Sequence, residues 1–337
     1  MATIYDIAKK AGVSTATVSR ALRGRSEVVV EVRERVIEAA RELGYRPNRL
    51  AQALTAGKTN MFGLVMPEPD GNPYYSDLME AISRCCRQYG YEAVIQLSDL
   101  KTDDSITNAA TYLEEHQVDG LLLFAAPMHL EHYAATRTHD SPPWVSIGSP
   151  LDFLGPTVRA DEHFGGAEVT RHLIALGHKQ IAFMGPGASS SKGSRQVGYA
   201  DAMQEAGLPT IFRGSDASVE DARECTMKLL ADDDRPTAIV GFSDHTALGV
   251  LRACHEAGVT VPDELSVTGF DNLEFARYSN PALTTVDPQT ERIACESVEY
   301  LIGRIDGSIE ADAVEPLTIQ PVLVERESTA PPPGGAC

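Results

Sequence analysis

The sequence lacks several features that mark other classes of protein. No apolar run reaches the roughly 18 residues that a membrane span needs, and residues 1–10 contain no apolar core of a signal peptide. Its six cysteines form no C-x-x-C pair, and no Cys/His cluster has zinc-site spacing. We therefore expect a cytoplasmic protein with no membrane contact, whose cysteines are free or buried thiols.

Catalytic and nucleotide-binding motifs are absent as well. Segment 187–194 superficially resembles a phosphate loop, but its order is Lys-Gly-Ser where the P-loop requires Gly-Lys-Ser. No G-x-G-x-x-G follows a predicted strand and opens a helix, and no G-x-S-x-G occurs. The histidines at 163, 172 and 178 have no nucleophile or metal partner at an informative spacing. We expect no enzyme activity, no cofactor and no metal.

Charge is distributed unevenly along the 337 residues, whose overall net charge is −19. Residues 1–60 hold 11 basic and 6 acidic residues, a net charge of +5, whereas the remainder carries −24. A basic head on an acidic body indicates a module that binds a polyanion, because the acidic part would repel DNA and confine contact to the head. The length predicts two to three domains.

Residues 3–23 predict two short helices joined by a tight turn. Thr3 can cap the first helix and Gly12 can end it, while Ser14 can cap a second helix from residue 15 to residue 23. A third helix is predicted from about residue 30 to residue 43. Two short helices around a glycine-containing turn are typical of a helix-turn-helix.

In a helix-turn-helix, the start of the second helix enters the major groove of DNA. Arg20 can donate two hydrogen bonds to guanine, and the small side chains of Thr15 and Ala16 can touch base edges or a thymine methyl group. Candidate phosphate donors are Thr3, Ser14, Thr17, Ser19 and Arg25. The alternative, a three-helix interaction module, explains the outward arginine and the positive charge less well.

Four segments of the head resemble the lactose-repressor/galactose-repressor family of bacterial transcription regulators, namely 3–8, 11–14, 17–20 and 43–48. The resemblance implies a dimer that reads a palindromic operator, with Thr15, Ala16 and Arg20 at base-reading positions. Segment 48–55 resembles the family's hinge helix, in which Leu54 corresponds to a leucine that wedges between base pairs in the minor groove. A plain linker helix is the alternative for that segment.

From residue 61 onward, apolar segments alternate with amphipathic helical stretches, which predicts parallel α/β sheets. Predicted strands cover 62–66, 93–95, 121–124, 144–147, 181–184, 238–241 and 266–270, and examples of predicted helices are 77–89, 165–176 and 245–256. Two sets of similar size predict two doubly wound subdomains. Ligands of such folds bind beyond the carboxyl ends of the strands, here in the cleft between the lobes.

Aromatic, arginine and carboxylate side chains follow several of these strands, and together they suit a small polyol. The body resembles the periplasmic-binding-protein-like core of the same family at segments 165–166, 176–178, 185–186, 269–272 and 281–286. The resemblance implies effector contacts at Tyr74, Tyr75, Arg195, Asp244 and Asp271. Segment 189–192 could hold a phosphate, which makes Ser189 and Ser191 further candidates.

The resemblance also implies a domain plan. It comprises a head (1–48), a hinge helix and linker (49–60), an N-subdomain (61–160 plus 290–320) and a C-subdomain (161–289 plus 321–328). The Pro/Gly-rich segment 329–337 is expected to be a disordered tail.

We interpret the sequence as a homodimeric, ligand-responsive transcription regulator, expected to repress genes of carbohydrate uptake or catabolism. The effector would be a sugar or a sugar phosphate in the cleft between the lobes. Three alternatives stay open: the same architecture with a purine corepressor, a solute-binding receptor without DNA function, and a sugar-processing enzyme that carries a DNA-binding head.

Overall fold

The computed structural model describes residues 2–22, 27–45, 58–68, 71–98, 104–124, 127–148, 155–186, 194–232, 234–310, 313 and 315–334. The chain divides into two compact units, residues 1–59 and 60–337. No helix within these described ranges is both long and apolar enough to cross a membrane. The hinge segment with Leu54, and the candidates Arg25, Ser189 and Ser191, lie outside the described residues.

The head is built from three helices, which are α1 (Ile4–Ala11), α2 (Thr15–Leu22) and α3 (Val30–Glu42). One apolar side chain from each helix, Ile7, Val18 and Val36, is completely buried in a shared core. Gly12 ends α1 with a left-handed backbone (φ 66°), a conformation that glycine adopts without steric cost. The predicted helix-turn-helix is therefore confirmed.

The N-lobe of the body contains a six-stranded parallel sheet in the order β11-β5-β4-β3-β1-β2. Its strands are β1 (Met61–Pro67), β2 (Glu92–Ser98), β3 (Gly120–Leu123), β4 (Trp144–Ile147), β5 (Thr157–Ala160) and β11 (Leu317–Ile319). Its helices are α4 (Pro73–Gln88), α5 (Ser105–Glu115), α6 (Pro127–Thr136) and α12 (Thr290–Asp306).

Both faces of this sheet are buried. Along β1, Phe62 and Leu64 enter a cluster with α4 and α12, whereas Val65 enters a separate cluster with α5 and α6. Successive side chains of a strand point to opposite faces, so a strand covered by helices on both sides must be apolar throughout. This is why the strands read as continuous apolar runs.

The C-lobe repeats the plan with a four-stranded parallel sheet in the order β7-β6-β8-β9. Its strands are β6 (Ile181–Gly185), β7 (Ile211–Gly214), β8 (Ala238–Gly241) and β9 (Ser266–Thr268). Its helices are α7 (Glu162–Ala175), α8 (Arg195–Glu205), α9 (Val219–Leu230), α10 (Asp244–Ala257) and α11 (Glu274–Tyr278). The predicted pair of doubly wound subdomains is confirmed.

The chain passes between the lobes three times, after β5, after β10 (Thr285–Asp287) and after β11. Strand β10 pairs antiparallel with β12 (Val322–Val324), which follows the third crossover. The backbone N–H of Gln289 donates to Asp287 (2.6 Å), and its side-chain amide donates to the carbonyl of Gln320. The second and third crossovers are therefore tied to each other.

The expectation of a disordered tail from residue 329 is wrong for its first residues. Ser328 is completely buried, and its carbonyl accepts the N–H of Val267 in β9 (2.8 Å). The N–H of Ala330 donates to the hydroxyl of Ser266 (3.0 Å). The segment is therefore ordered by hydrogen bonds from its backbone N–H and C=O groups to the C-lobe, in spite of the nearby proline and glycine residues.

The expectation that the cysteines are unpaired thiols is wrong for one pair. The sulfur atoms of Cys85 in α4 and Cys295 in α12 are bonded, with the two Cα atoms 5.5 Å apart. Among the described residues, Cys86, Cys225 and Cys254 are free. Because 210 residues separate Cys85 from Cys295, only the packing of α4 against α12 brings them together.

Candidate DNA interface and effector cleft

The first helix of the head begins with a reciprocal cap. The hydroxyl and the backbone N–H of Thr3 both donate to the carboxylate of Asp6, at 2.7 and 2.8 Å. These hydrogen bonds, with the side-chain one the stronger, lower the pKa of Asp6 below its usual value. Both donor groups of Thr3 therefore bind Asp6, so the phosphate contact predicted at Thr3 would require one of them to leave that carboxylate.

The second helix presents the predicted base-reading residues. Ser14 caps it, because its hydroxyl oxygen accepts the backbone N–H of Thr17 at 3.1 Å. Ala16 and Arg20 are exposed one helical turn apart, while Thr15, Thr17 and Ser19 are half-buried. Since Val18 is completely buried, the opposite face of α2 carries one small side chain and one long cation outward.

Tyr5 is a residue of the head that sequence reasoning missed. Its side chain is 73% exposed on α1, although most large aromatic rings lose water contact in folded proteins. The signal was present in the sequence, because position 5 falls outside the apolar stripe 4, 7, 8 and 11. An exposed phenol on the basic head can donate a hydrogen bond to a phosphate.

The N-lobe brings three aromatic rings to one end of its sheet. In both sheets the strand order reverses beside the first strand, and a crevice opens there at the carboxyl ends. Tyr74 and Tyr75 follow β1 in the first turn of α4, and Phe124 follows β3. The ring of Tyr75 lies edge-on to those of Phe124 (5.5 Å) and Tyr74 (5.8 Å).

The C-lobe brings charged side chains to the corresponding end of its own sheet. Arg195 begins α8 after β6, Asp244 begins α10 after β8, and Asp271 follows β9. Arg195 is held close to α7, because a Cβ atom at Gly166 would lie 2.1 Å from the Arg195 carbonyl oxygen. Only glycine allows that approach, which explains one half of the Gly165-Gly166 motif.

The guanidinium group of Arg195 is surrounded by partners. It donates to the carbonyl of Phe242 (2.8 Å) and to the carboxylate of Glu162 in α7 (2.9 Å). Its Nη1 also lies 3.3 Å from Oδ1 of Asp271. The rings of Phe270 and Phe242 lie 3.7 and 4.9 Å from its central carbon. Ion pairs and cation–π contacts therefore fix the cation within the C-lobe.

Glu162 is a second residue that sequence reasoning missed. Its side chain is 29% exposed and pairs with a guanidinium that is only 10% exposed. The sequence offered little signal, because Glu162 and Arg195 are 33 positions apart and only the packing of α7 against α8 brings them together.

Asp271 and Asp244 differ in what they offer a ligand. Asp271 has a left-handed backbone (φ 112°), and burial raises the pKa of its carboxyl group although Arg195 opposes the shift. Asp244 is completely buried, and its carboxylate accepts the N–H of Leu273 (2.7 Å) and the hydroxyl of Thr285. Burial raises the pKa of Asp244 to about 7.

The expected effector contact at Asp244 therefore needs correction. Its carboxylate lies beneath the end of the sheet and joins α10 to the segments before α11 and in β10. Gly269 packs directly over it, because a Cβ atom there would lie 2.1 Å from Oδ1 of Asp244. Ser243 caps α10, and the carboxylate of Asp244, the first residue of that helix, is buried and used by Leu273 and Thr285, so it presents no surface to the cleft.

The two lobes approach each other at Tyr74. Burial raises the pKa of its phenol above the usual range, and the carboxylate of Asp271 raises it further. Tyr74 and Asp271 line the same cavity, so the phenol of α4 lies near the acidic end of the C-lobe. A cavity of about 640 Å³ opens here, lined by residues that include Tyr74, Asp271, Asp287 and Gln289. No group of three potential metal ligands occurs in the described part of the chain.

A helix-turn-helix head and a body of two doubly wound lobes around a cleft define a DNA-binding regulator with a solute-binding type of core. The family description "Bacterial regulatory proteins, lacI family" matches residues 3–48, and "Periplasmic binding protein-like domain" matches residues 170–329. The chain belongs to the lacI family of bacterial regulatory proteins and is a transcriptional regulator, not an enzyme, as predicted.

Relatives of known role span nearly the whole chain. The transcriptional repressor PurR of Pasteurella multocida (strain Pm70) is 32% identical, over 97% of this chain and 98% of its own length. The lac repressor dimer bound to operator and the anti-inducer ONPF is 28% identical with a TM-score of 0.87, over 98% and 99% of the two chains. The regulator CelR in complex with cellobiose is 27% identical with a TM-score of 0.69, over 97% and 100%.

Proposed function

We propose that the chain is a homodimeric repressor whose operator affinity is set by a sugar bound between the lobes. One observation carries the sugar: the buried Nε of Arg195 has no hydrogen-bond partner among the described residues, and the buried Oδ1 of Asp271 has only its ion pair with Nη1 of Arg195. A hydroxyl group can accept from the first and donate to the second. Unpaired buried polar atoms are costly, so a ligand that pairs both is favoured.

Two further features support a sugar. Tyr74 and Tyr75 bring aromatic surface to the same end of the cleft, where a ring can cover the C–H face of a sugar. The solved structure of CelR contains cellobiose, and that protein aligns with nearly all of this chain.

A purine is the second candidate for the effector. Several relatives at 31–33% identity are repressors named PurR, and the tyrosines of α4 could stack on a base as well as on a sugar. The two ligand classes differ at the Arg195–Asp271 pair, because a hydroxyl group donates and accepts through one atom whereas a base presents these functions on separate ring atoms.

Control of DNA binding would pass from the cleft to the head. In the proposed mechanism, ligand changes the closure of the lobes about the three crossovers, and closure alters how the two hinge helices of a dimer fit the minor groove. Arg20 would read a base, with Thr15 and Ala16 beside it, and Leu54 would wedge between base pairs. Coupling between two such sites is typically about 1–3 kcal/mol.

The first experiment is thermal unfolding of the full chain against sugars, sugar phosphates and purines. A ligand at 100 times its Kd stabilises by about 2.7 kcal/mol, which is an easily measured shift. We expect stabilisation by a sugar and, with that sugar, a changed affinity for the operator selected from random duplexes. Stabilisation by purines alone would replace the sugar with the second candidate, and no shift with any sugar contradicts the proposal.

The hinge has a separate test. Leu54→Ala should weaken operator binding while the effector still stabilises the body to the wild-type extent, because the wedge contacts only DNA. An unchanged operator affinity would make segment 49–60 a linker rather than a hinge helix.

A further inference from the structure

We propose that Glu162 restricts the cleft to uncharged effectors by occupying the one guanidinium group that a phosphate would need. The inference rests on the proposed function, since it assumes that the effector binds at Arg195. It narrows the ligand class from sugar or sugar phosphate to unphosphorylated sugar, and it makes Glu162 the residue that determines this choice.

The local charge balance is the first support. Arg195 is the cation in direct contact with Asp271, and its Nη2 donates to Glu162 at 2.9 Å. A second carboxylate, that of Asp271, lies 3.3 Å from Nη1. One guanidinium group therefore has two carboxyl groups as direct partners, so an incoming anion would have to compete with both of them for the same cation.

The geometry of the remaining donor is the second support. A phosphate is recognised by the paired N–H groups at the fork of an arginine. Here one arm of the fork is bound to Glu162 and the other to the carbonyl of Phe242, which leaves Nε as the unpartnered atom. The Nε–H donor and the carboxyl group of Asp271 together suit a hydroxyl group, which can accept from the first and donate to the second, better than a phosphate, which mainly accepts.

The cavity that Asp271 lines is the third support, although Arg195 and Glu162 are not part of its lining. Its described lining includes three arginines and six carboxyl groups, which are Asp77, Glu80, Asp271, Glu274, Asp287 and Glu291. The lining is therefore net acidic. A potential of that sign lowers the local concentration of anions and does not oppose a neutral sugar.

The test uses inorganic phosphate as the probe, because it carries the anionic group without any sugar. Thermal unfolding of the full chain is measured in phosphate and in chloride of equal ionic strength, for wild type, Glu162→Gln and Glu168→Gln. In Glu162→Gln the amide oxygen of the new side chain can still accept from Nη2 of Arg195, so the fold is kept while the charge is removed. Glu168 is the matched control, since it lies on the same helix and pairs with Arg171 instead.

We expect phosphate to stabilise Glu162→Gln more than both other proteins, with an affinity at least about tenfold higher than theirs, because a like charge beside the site has been removed. Phosphate bound to the basic head would raise the unfolding temperature of all three proteins equally, so the shift of Glu168→Gln is subtracted from that of Glu162→Gln. An equal shift in all three overturns the proposal. So does a gain in Glu168→Gln as large as that in Glu162→Gln.

A parallel series with neutral sugars and their phosphate esters separates this inference from the proposed function. If wild type is stabilised by both a sugar and its phosphate, the effector site stands and the role of Glu162 is overturned. If only Glu162→Gln responds to phosphate and no sugar stabilises any protein, Glu162 does exclude anions and the proposed sugar effector is wrong. Stabilisation of wild type by a sugar alone, with Glu162→Gln also accepting the ester, is the expected result.

Discussion

Arg20 in the head and Arg195 in the body are the two arginines on which the proposed function depends, yet their surroundings are opposite. Arg20 is exposed on a helix whose other face fills an apolar core. Arg195 is enclosed by two carboxylates, a carbonyl and two aromatic rings. Under the proposed function, Arg20 would contribute to DNA binding while apolar packing stabilises the head, whereas Arg195 would contribute both to ligand binding and to the stability of the body.

The largest expected change in the free energy of unfolding comes from removing the buried charge of Arg195. Arg195→Met should lower the free energy of unfolding by about 3–5 kcal/mol, because Glu162 and Asp271 lose the charge that compensates them. Arg171→Met removes an arginine that also has two glutamate partners but is 44% exposed, and should cost only about 0–1 kcal/mol. Denaturant unfolding followed by the single tryptophan, Trp144 of β4, reports the body alone. Equal losses would mean that burial of Arg195 does not matter.

The exposed arginine should give the reverse result. Arg20→Ala should leave unfolding unchanged and cost about 1–3 kcal/mol of operator binding, mostly at one base position. Arg35→Ala, which removes an exposed arginine from α3, is the control for the loss of charge alone. The measurement is fluorescence anisotropy on the selected operator and its single-base variants. A loss that is the same on every variant contradicts a base-reading role and makes Arg20 a phosphate contact.

A smaller effect tests whether the head depends on local helix signals. Ser14→Ala removes the hydroxyl that accepts the N–H of Thr17, and should destabilise the head by about 1 kcal/mol. Ser14→Asp should restore most of the loss, since aspartate is also a good cap. Hydrogen exchange of the amides in α2 measures the change, with those of the body as internal reference. Unchanged exchange would show that the apolar core alone sets the stability of α2.

Local signals also explain what could be predicted from the sequence. The head was predictable to within a residue at the end of α3, because its caps, its glycine turn and its apolar stripes are all local. The buried central strands were predictable for a similar reason, since helices on both faces require an apolar run. Strands β5, β7, β10, β11 and β12 were not predicted, because polar residues interrupt the apolar run in four of them and the pairing of all five is decided by distant segments.

The site in the body could be predicted only as a set of positions. Tyr74, Arg195 and Asp271 do follow strands at the cleft, where strand order alone places them. The ion pair between Arg195 and Glu162 could not be predicted, because only the close packing of α7 on α8 brings the two side chains together. Burial of Asp244 depends in the same way on Thr285, 41 residues away. Long-range contacts of this kind have no local sequence signal.

The smallest expected effect appears only in acid and contrasts the body with the head once more. His178 is almost completely buried, and its Nε2–H donates to the carbonyl of Ala330 (2.8 Å) while Nδ1 accepts from Thr237 (2.8 Å). Burial lowers the pKa of His178 below its usual value, although the bond to Ala330 opposes the shift. The unfolded chain therefore binds a proton more readily than the folded body does.

It follows that the contribution of His178 to the stability of the body is complete above about pH 6.5, the pKa of an unperturbed histidine, and is lost as the pH falls below that value. The head contains no histidine and should not share this dependence. His178→Gln should reduce the slope of unfolding free energy against pH between 7 and 5 by the contribution of one proton, whereas His139→Gln, at a fully exposed position, should not. Because the bond to Ala330 holds the C-terminal segment on β9, exchange of the Val267 amide should rise over the same pH range in wild type. If the slope is the same in all three proteins, protonation elsewhere in the body causes the acid sensitivity and His178 is only a packing residue.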